Sequence, residues 1–155
     1  MASPTNAECE KNWSLFEDAT SNVRCVYSWH PLVVGRLDGD QFVEDHRTDV
    51  PVLRHARGSS HGTRVVGRPG VRWFLVHFVS YESPRRYYHA VVETDDDAHT
   101  VRRLTYPFTF EGEPIEYAGS LAVDETHLTV YYSVKDAASR YLRVPRDRLT
   151  WALPP

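Results

Sequence analysis

Apolar and polar positions alternate along most of the chain, in short runs separated by turn residues. Residues 128–134 read Leu-Thr-Val-Tyr-Tyr-Ser-Val, which puts Leu128, Val130, Tyr132 and Val134 on one side. A period of two predicts a strand with one buried face. Comparable runs occupy 13–16, 23–29, 32–37 and 41–44, then 62–66, 71–79, 87–93 and 101–105, then 116–123, 128–134, 140–144 and 149–152. The breaks between them carry turn chemistry, as in Asp38-Gly39-Asp40, Arg68-Pro69-Gly70, Glu82-Ser83-Pro84 and Glu111-Gly112-Glu113-Pro114. Helical periodicity is poor, and its best stretch, 136–140, is too short to nucleate a helix.

The expected strands form three groups of four, and the groups resemble one another. Their second strands read Cys25-Val26-Tyr27-Ser28-Trp29-His30, Leu75-Val76-His77-Phe78-Val79-Ser80 and Thr129-Val130-Tyr131-Tyr132-Ser133-Val134. Four-stranded units recurring at roughly 40–50 residues are the pattern of propeller blades. The expectation is an all-β chain: one domain, residues 1–155, of three four-stranded antiparallel β-propeller-like blades at about 10–50, 57–106 and 114–153. A twelve-stranded sandwich or an irregular barrel fits the same strand spacing. Propellers usually close with at least about four blades. Three blades would leave two blade faces open, so the chain is expected to form an open arc or to be completed by self-association or by a partner chain.

Composition supports strands over helices. The apolar residues are dominated by Val, with nine Tyr, six Phe and four Trp, residues that suit a pleated half-buried surface. The net charge of −3 lacks a basic footprint, so nucleic acid is not an expected partner. The pairs Arg85-Arg86 and Arg102-Arg103 read as solvated strand ends. No stretch of about 18 apolar residues occurs, so no membrane partner is expected, and the N-terminus lacks a signal pattern. A cytoplasmic location is the resulting expectation. Cys9 and Cys25 are read as two free thiols, with one bridge between them as the alternative. No cofactor and no metal are expected, because the eight histidines include no His-x-His or His-x-x-x-His pair.

Three blocks add a resemblance. Glu10-Lys11-Asn12-Trp13 is followed by Phe16 and by Val26-Tyr27-Ser28-Trp29-His30-Pro31. Arg57-Gly58-Ser59-Ser60 is followed by an apolar run reaching His77 and by Arg86-Tyr87-Tyr88-His89. Pro114-Ile115-Glu116-Tyr117-Ala118-Gly119-Ser120 is followed by Tyr132-Ser133-Val134-Lys135-Asp136. In this order the blocks resemble five-bladed β-propeller proteins related to glycoside hydrolases and glycoside phosphorylases. The resemblance spans residues 10 to 150 and implies the part of that propeller after its first two blades. The acidic pair that relatives carry in a Glu-Asp-Pro-Arg-like segment has its nearest counterpart in Glu44-Asp45-His46-Arg47, with His in place of Pro.

In a propeller the first strand of each blade lines the central channel, and its entry end faces the pocket. Asn12, Arg57 and Glu116 hold that place in the three groups, with Lys11, Ser59, Ser60 and Tyr117 beside them. Arg and Asn donate to hydroxyl or phosphate oxygens, and aromatic faces pack on sugar C–H surfaces. Glu116 is the candidate catalytic acid and Arg57 the candidate anion clamp. The alternative is that Glu116 pairs with Arg57 and staples two blades. Asn12, Arg57, Ser59, His30, His77, Tyr117 and Asp136 are the candidate substrate-binding residues; the alternative is that Asp136 is a hairpin turn residue and that His30 and His77 are structural hydrogen-bonding residues. Gly58-Ser59-Ser60-His61-Gly62 spells a nucleophile-elbow pattern, but a strand rather than a helix is expected after it, so it reads as a turn. Asp95-Asp96-Asp97 reads as a solvated turn.

The implied function is binding or processing of a carbohydrate or glycoconjugate, with phosphate as a possible second ligand. Any activity would be that of a glycoside hydrolase or glycoside phosphorylase. The alternatives are a non-catalytic protein-interaction module and an accessory domain of a glycosyltransferase.

Overall fold

A computed structural model of the chain describes residues 11–152. The described residues form three antiparallel sheets and no α-helix. The first sheet runs β1 (Ser14–Glu17), β2 (Val23–Trp29), β3 (Leu32–Asp38) and β4 (Gln41–Thr48) in sequence order. The middle sheet contains β5 (Arg57–Gly58), β6 (Thr63–Arg64), β7 (Val71–Ser80), β8 (Arg86–Asp95) and β9 (Val101–Leu104). Its two short pieces, β5 and β6, both pair with β7 as one interrupted edge. The third sheet is β10 (Glu116–Val123), β11 (His127–Val134) and β12 (Ala138–Pro145). No helix among the described residues is long and apolar enough to cross a membrane.

The middle sheet is covered on both faces. Its Phe74, Val76, Ala90 and Val92 pack against Phe16, Val26, Trp29, Leu32 and Val34 of the first sheet. Its Trp73, Leu75 and Val91 pack against Ala118, Leu121, Leu128 and Val130 of the third. Two-sided burial is why β7 reads as a nearly unbroken apolar run, while β11 alternates. Each buried side chain of this size contributes roughly 1.5–3 kcal/mol relative to exposure.

Two charged residues inside this core are fully paired. The Arg72 guanidinium donates to the carbonyls of Glu17, Gly62 and Asp96 and to the Asp96 carboxylate, tying the first sheet to the middle one. Glu93 accepts from Arg68, Arg103 and the Trp73 indole N–H. Burial raises the Glu93 carboxyl, but the hydrogen bonds from Arg103, Arg68 and Trp73 outweigh it and hold it at about 2.

The strand pattern departs from the sequence expectation in two places. Segment 149–152 does not become a fourth strand of the third sheet. Trp151 instead bridges Thr105, and the Ala152 N–H donates to the Leu104 carbonyl at 2.8 Å, extending the middle sheet past β9. The reason is aromatic: the Trp151 ring lies 5.4 Å from Trp73 and beneath the Arg103 guanidinium at 4.0 Å, contacts the exposed β12 edge does not offer. The second departure is β5, which forms where a strand entry was expected. The Asp95-Asp96-Asp97 turn also does more than meet solvent, since Asp96 holds the buried Arg72.

The two end faces differ. The outer face of the third sheet is polar, carrying the pairs Thr129–Arg143, Tyr131–Tyr141 and Ser133–Ser139. The outer face of the first sheet exposes Leu15, Val23 and Leu37. Among the described residues Cys25 has no disulfide partner; it is fully buried, and burial pushes its thiol up to about 12. Cys9 lies outside the described residues, and so does any pairing with it.

Candidate functional site

The site is built by a close approach of β5 to the segment before β1. Asn12 adopts a left-handed backbone at φ 64°, a conformation Asn tolerates better than most residues. Opposite it, a Cβ on Gly58 would lie 2.2 Å from the Asn12 carbonyl oxygen and 2.4 Å from Ser14 Oγ. Only glycine lets the two backbones come this near. Arg57, the preceding residue, is thereby set beside Lys11 and Asn12.

Together these segments enclose a cleft of about 570 Å³ between the first two sheets. Its cations are Lys11, Arg57 and Arg85, and its aromatic wall is Trp13, Tyr27, Trp29 and Tyr81. The Trp13 and Tyr27 rings meet edge-on at 5.4 Å, and Tyr27 in turn leans on Phe42 at 5.0 Å, which stiffens the wall. Arg57 donates to the Tyr81 hydroxyl at 2.9 Å. The Trp29 indole N–H is buried without an acceptor among the described residues. No described carboxylate lines the cleft. Such a donor-rich lining favours an anion, and its aromatic faces suit a flat or C–H-rich body.

Ser59 and His77 lie behind this wall. Arg57 is in register with His77 across the β5–β7 pair, and the Ser59 hydroxyl is 2.8 Å from His77 Nδ1. Tyr87 and Tyr117 flank the His77 ring at 5.7 and 5.5 Å. Burial, reinforced by the neighbouring His89 and by the charges of Arg57 and Lys11, holds His77 at about 4. The imidazole is therefore neutral near pH 7 and acts as a hydrogen-bonding support rather than a cation. Tyr117 is raised above its usual value, by burial first and by Tyr87 second.

Of the residues expected from sequence, Asn12 and Arg57 line the cleft, and Ser59, His77 and Tyr117 form a connected group next to it. The structure separates the others. Glu116 is fully buried and its carboxylate accepts three backbone N–H bonds, from Phe110, Glu111 and Glu113 at 2.7, 2.7 and 3.0 Å. It ties down the loop before β10 and does not pair with Arg57, because three short backbone donors satisfy both its oxygens. His30 sits 3.2 Å from Asp49. Asp136 is at the tip of the β11–β12 hairpin, where it and Lys135 both take positive φ in the three-residue connection between the paired Val134 and Ala138. In the Glu44-Asp45-His46-Arg47 segment, Glu44 pairs with Arg47 and Asp45 with Arg24 and Arg36.

Sequence reading missed Tyr81 and Arg85, which lie in the β7–β8 loop. The available signal was Tyr81 and the Arg85-Arg86 pair placed just outside two long strands, where loop side chains gather at one end of a sheet. No family model, curated protein or solved structure matches the chain.

Proposed function

We propose that this chain is a propeller-like, carbohydrate-binding protein whose cleft takes an anionic sugar or glycoconjugate. The observation that carries the reading is the convergence of Lys11, Asn12, Arg57 and Arg85 on a cleft walled by Trp13, Tyr27 and Tyr81. Cations select the anionic group, Asn12 serves the hydroxyls, and the aromatic faces pack on the ring.

The blade interpretation rests on how the sheets meet. Each is an up-and-down meander, and their first strands approach one another. The Gly62 N–H bonds the Leu15 carbonyl at 2.8 Å, and the Thr63 hydroxyl donates to the Leu121 carbonyl at 3.2 Å. Face-to-face sheets with neighbouring first strands are how blades pack around an axis.

Calorimetric titration with neutral hexosides, hexose phosphates and inorganic phosphate tests the binding role. Sugar phosphates are expected to bind, and Arg57→Ala is expected to lose them. If no sugar or anion binds, or if Arg57→Ala binds as the parent does, the proposal fails.

A further inference from the structure

A second cleft, of about 490 Å³, adjoins the first. It is lined by Arg54, His55 and Val79, and it shares Ala56, Arg57 and Tyr81 with its neighbour. Ala56, Arg57 and Tyr81 therefore form a ridge with a basic hollow on either side. Among the described residues, Tyr81 is the acceptor on the Arg57 guanidinium, which carries five N–H donors in a fixed fork. A guanidinium pinned on a ridge by one bond can present its remaining edges to both hollows.

The hollows are not alike. The first combines cations with Asn12, Ser28 and the aromatic rings of Trp13, Tyr27 and Tyr81. The second offers Arg54 and His55 with one aliphatic wall, Val79. No described carboxylate lines either hollow. In a chain whose net charge is −3, four permanent cations (Lys11, Arg54, Arg57 and Arg85) around one ridge, with no balancing acid among the described lining residues, mark more positive charge than a single monoanion uses.

We propose that the two hollows are one bipartite site for a ligand with two linked anionic groups, of the glycosyl diphosphate class. The sugar and its nearer phosphoryl group occupy the Trp13–Tyr27 hollow, Arg57 binds across the bridge from the ridge, and the farther phosphoryl group meets Arg54. This rests on the cleft binding an anionic sugar, and it adds the number of anionic groups and the second hollow.

Titration of the whole chain with inorganic phosphate, pyrophosphate, a hexose 1-phosphate and a nucleoside diphosphate hexose tests it, with circular dichroism to confirm that variants fold. Linking two subsites makes the diphosphates bind at least about tenfold tighter than the monophosphates. Arg54→Ala is expected to cut that ratio to below about threefold, and Arg54→Lys to recover part of it, since Lys keeps the charge but not the fork. Equal affinity for mono- and diphosphates, or an Arg54→Ala ratio identical to that of the parent, overturns the bipartite site while leaving the single-cleft reading in place. Absence of binding by every compound overturns both.

Discussion

Arg57 donates a hydrogen bond to the Tyr81 hydroxyl at 2.9 Å, joining the short β5 edge to the loop that follows β7. The bond holds an otherwise exposed guanidinium in one orientation, at the lip of the cleft. Removing the acceptor with Tyr81→Phe keeps the ring and frees the cation. Binding of a sugar phosphate is expected to weaken about three- to tenfold, the range of one charged hydrogen bond near solvent. Thermal stability is expected to change little, because both residues are exposed. Unchanged affinity in Tyr81→Phe would remove Tyr81 from the site.

Gly58 makes the cleft possible, so filling its missing Cβ is expected to be costly. In Gly58→Ala the methyl group meets the Asn12 carbonyl at 2.2 Å, a backbone atom that no rotamer change can move. Overpacking of this kind destabilises by about 1–3 kcal/mol. Urea unfolding measures it, and ligand affinity is expected to fall with it, since β5 must back away from Asn12. A variant as stable as the parent would show that this approach is not needed.

For Glu116 the test separates catalysis from structure. Glu116→Gln puts an amide N–H₂ among the N–H groups of residues 110, 111 and 113, and at least one donor loses its acceptor. The expected loss is about 1–3 kcal/mol of stability, more for Glu116→Ala. Ligand binding by the folded fraction is expected to persist. If Glu116→Gln melts like the parent yet no longer binds or turns over a glycoside, Glu116 belongs to the site after all.

Acid sensitivity is expected in two windows. Burial holds His77 and His89, adjacent across β7 and β8, at about 4, against the ordinary 6.5. The unfolded chain takes up protons near pH 6.5 that the native imidazoles refuse until about pH 4. Their contribution is complete above pH 6.5 and declines below it, by about 1.4 kcal/mol per pH unit for each histidine. Glu93 acts lower: held at about 2 against the ordinary 4.5, it stabilises above pH 4.5 and loses that contribution as pH falls towards 2. Chemical denaturation from pH 7.5 to 4.5 measures the first window, and His89→Gln is expected to flatten it. Stability independent of pH over that range would show that the histidines are not held neutral.

Much of the secondary structure was legible along the chain. Alternation in 128–134 and the long apolar run of 71–79 placed β11 and β7, because a period of two and β-branched content act locally and need no partner to be seen. The first sheet follows the expected four runs in order. The Lys135-Asp136 hairpin was recognisable as turn chemistry, although the left-handed backbone at both positions was not.

The candidate site was legible only in part. Asn12 and Arg57 stood out because each opens a repeat unit, and Ser59 and His77 followed from the same blocks. Tyr81, Arg85 and Arg54 carried no periodic signal. They lie in connections whose positions depend on where the sheets stop and how they stack.

By itself, then, the sequence determined an all-β chain, the order of most of its strands and the small set of polar residues at the unit entries. Local backbone preference and side-chain alternation act within a few residues and survive any packing. Tertiary structure decided that Glu116 serves a loop while Arg57 faces a cleft, that Trp151 crosses to the middle sheet, and that basic residues from separate connections share one ridge. Each of these depends on contacts between residues far apart in the chain. Burial, backbone approach at Gly58 and charge pairing at Glu93 and Arg72 become defined only when the three sheets are stacked.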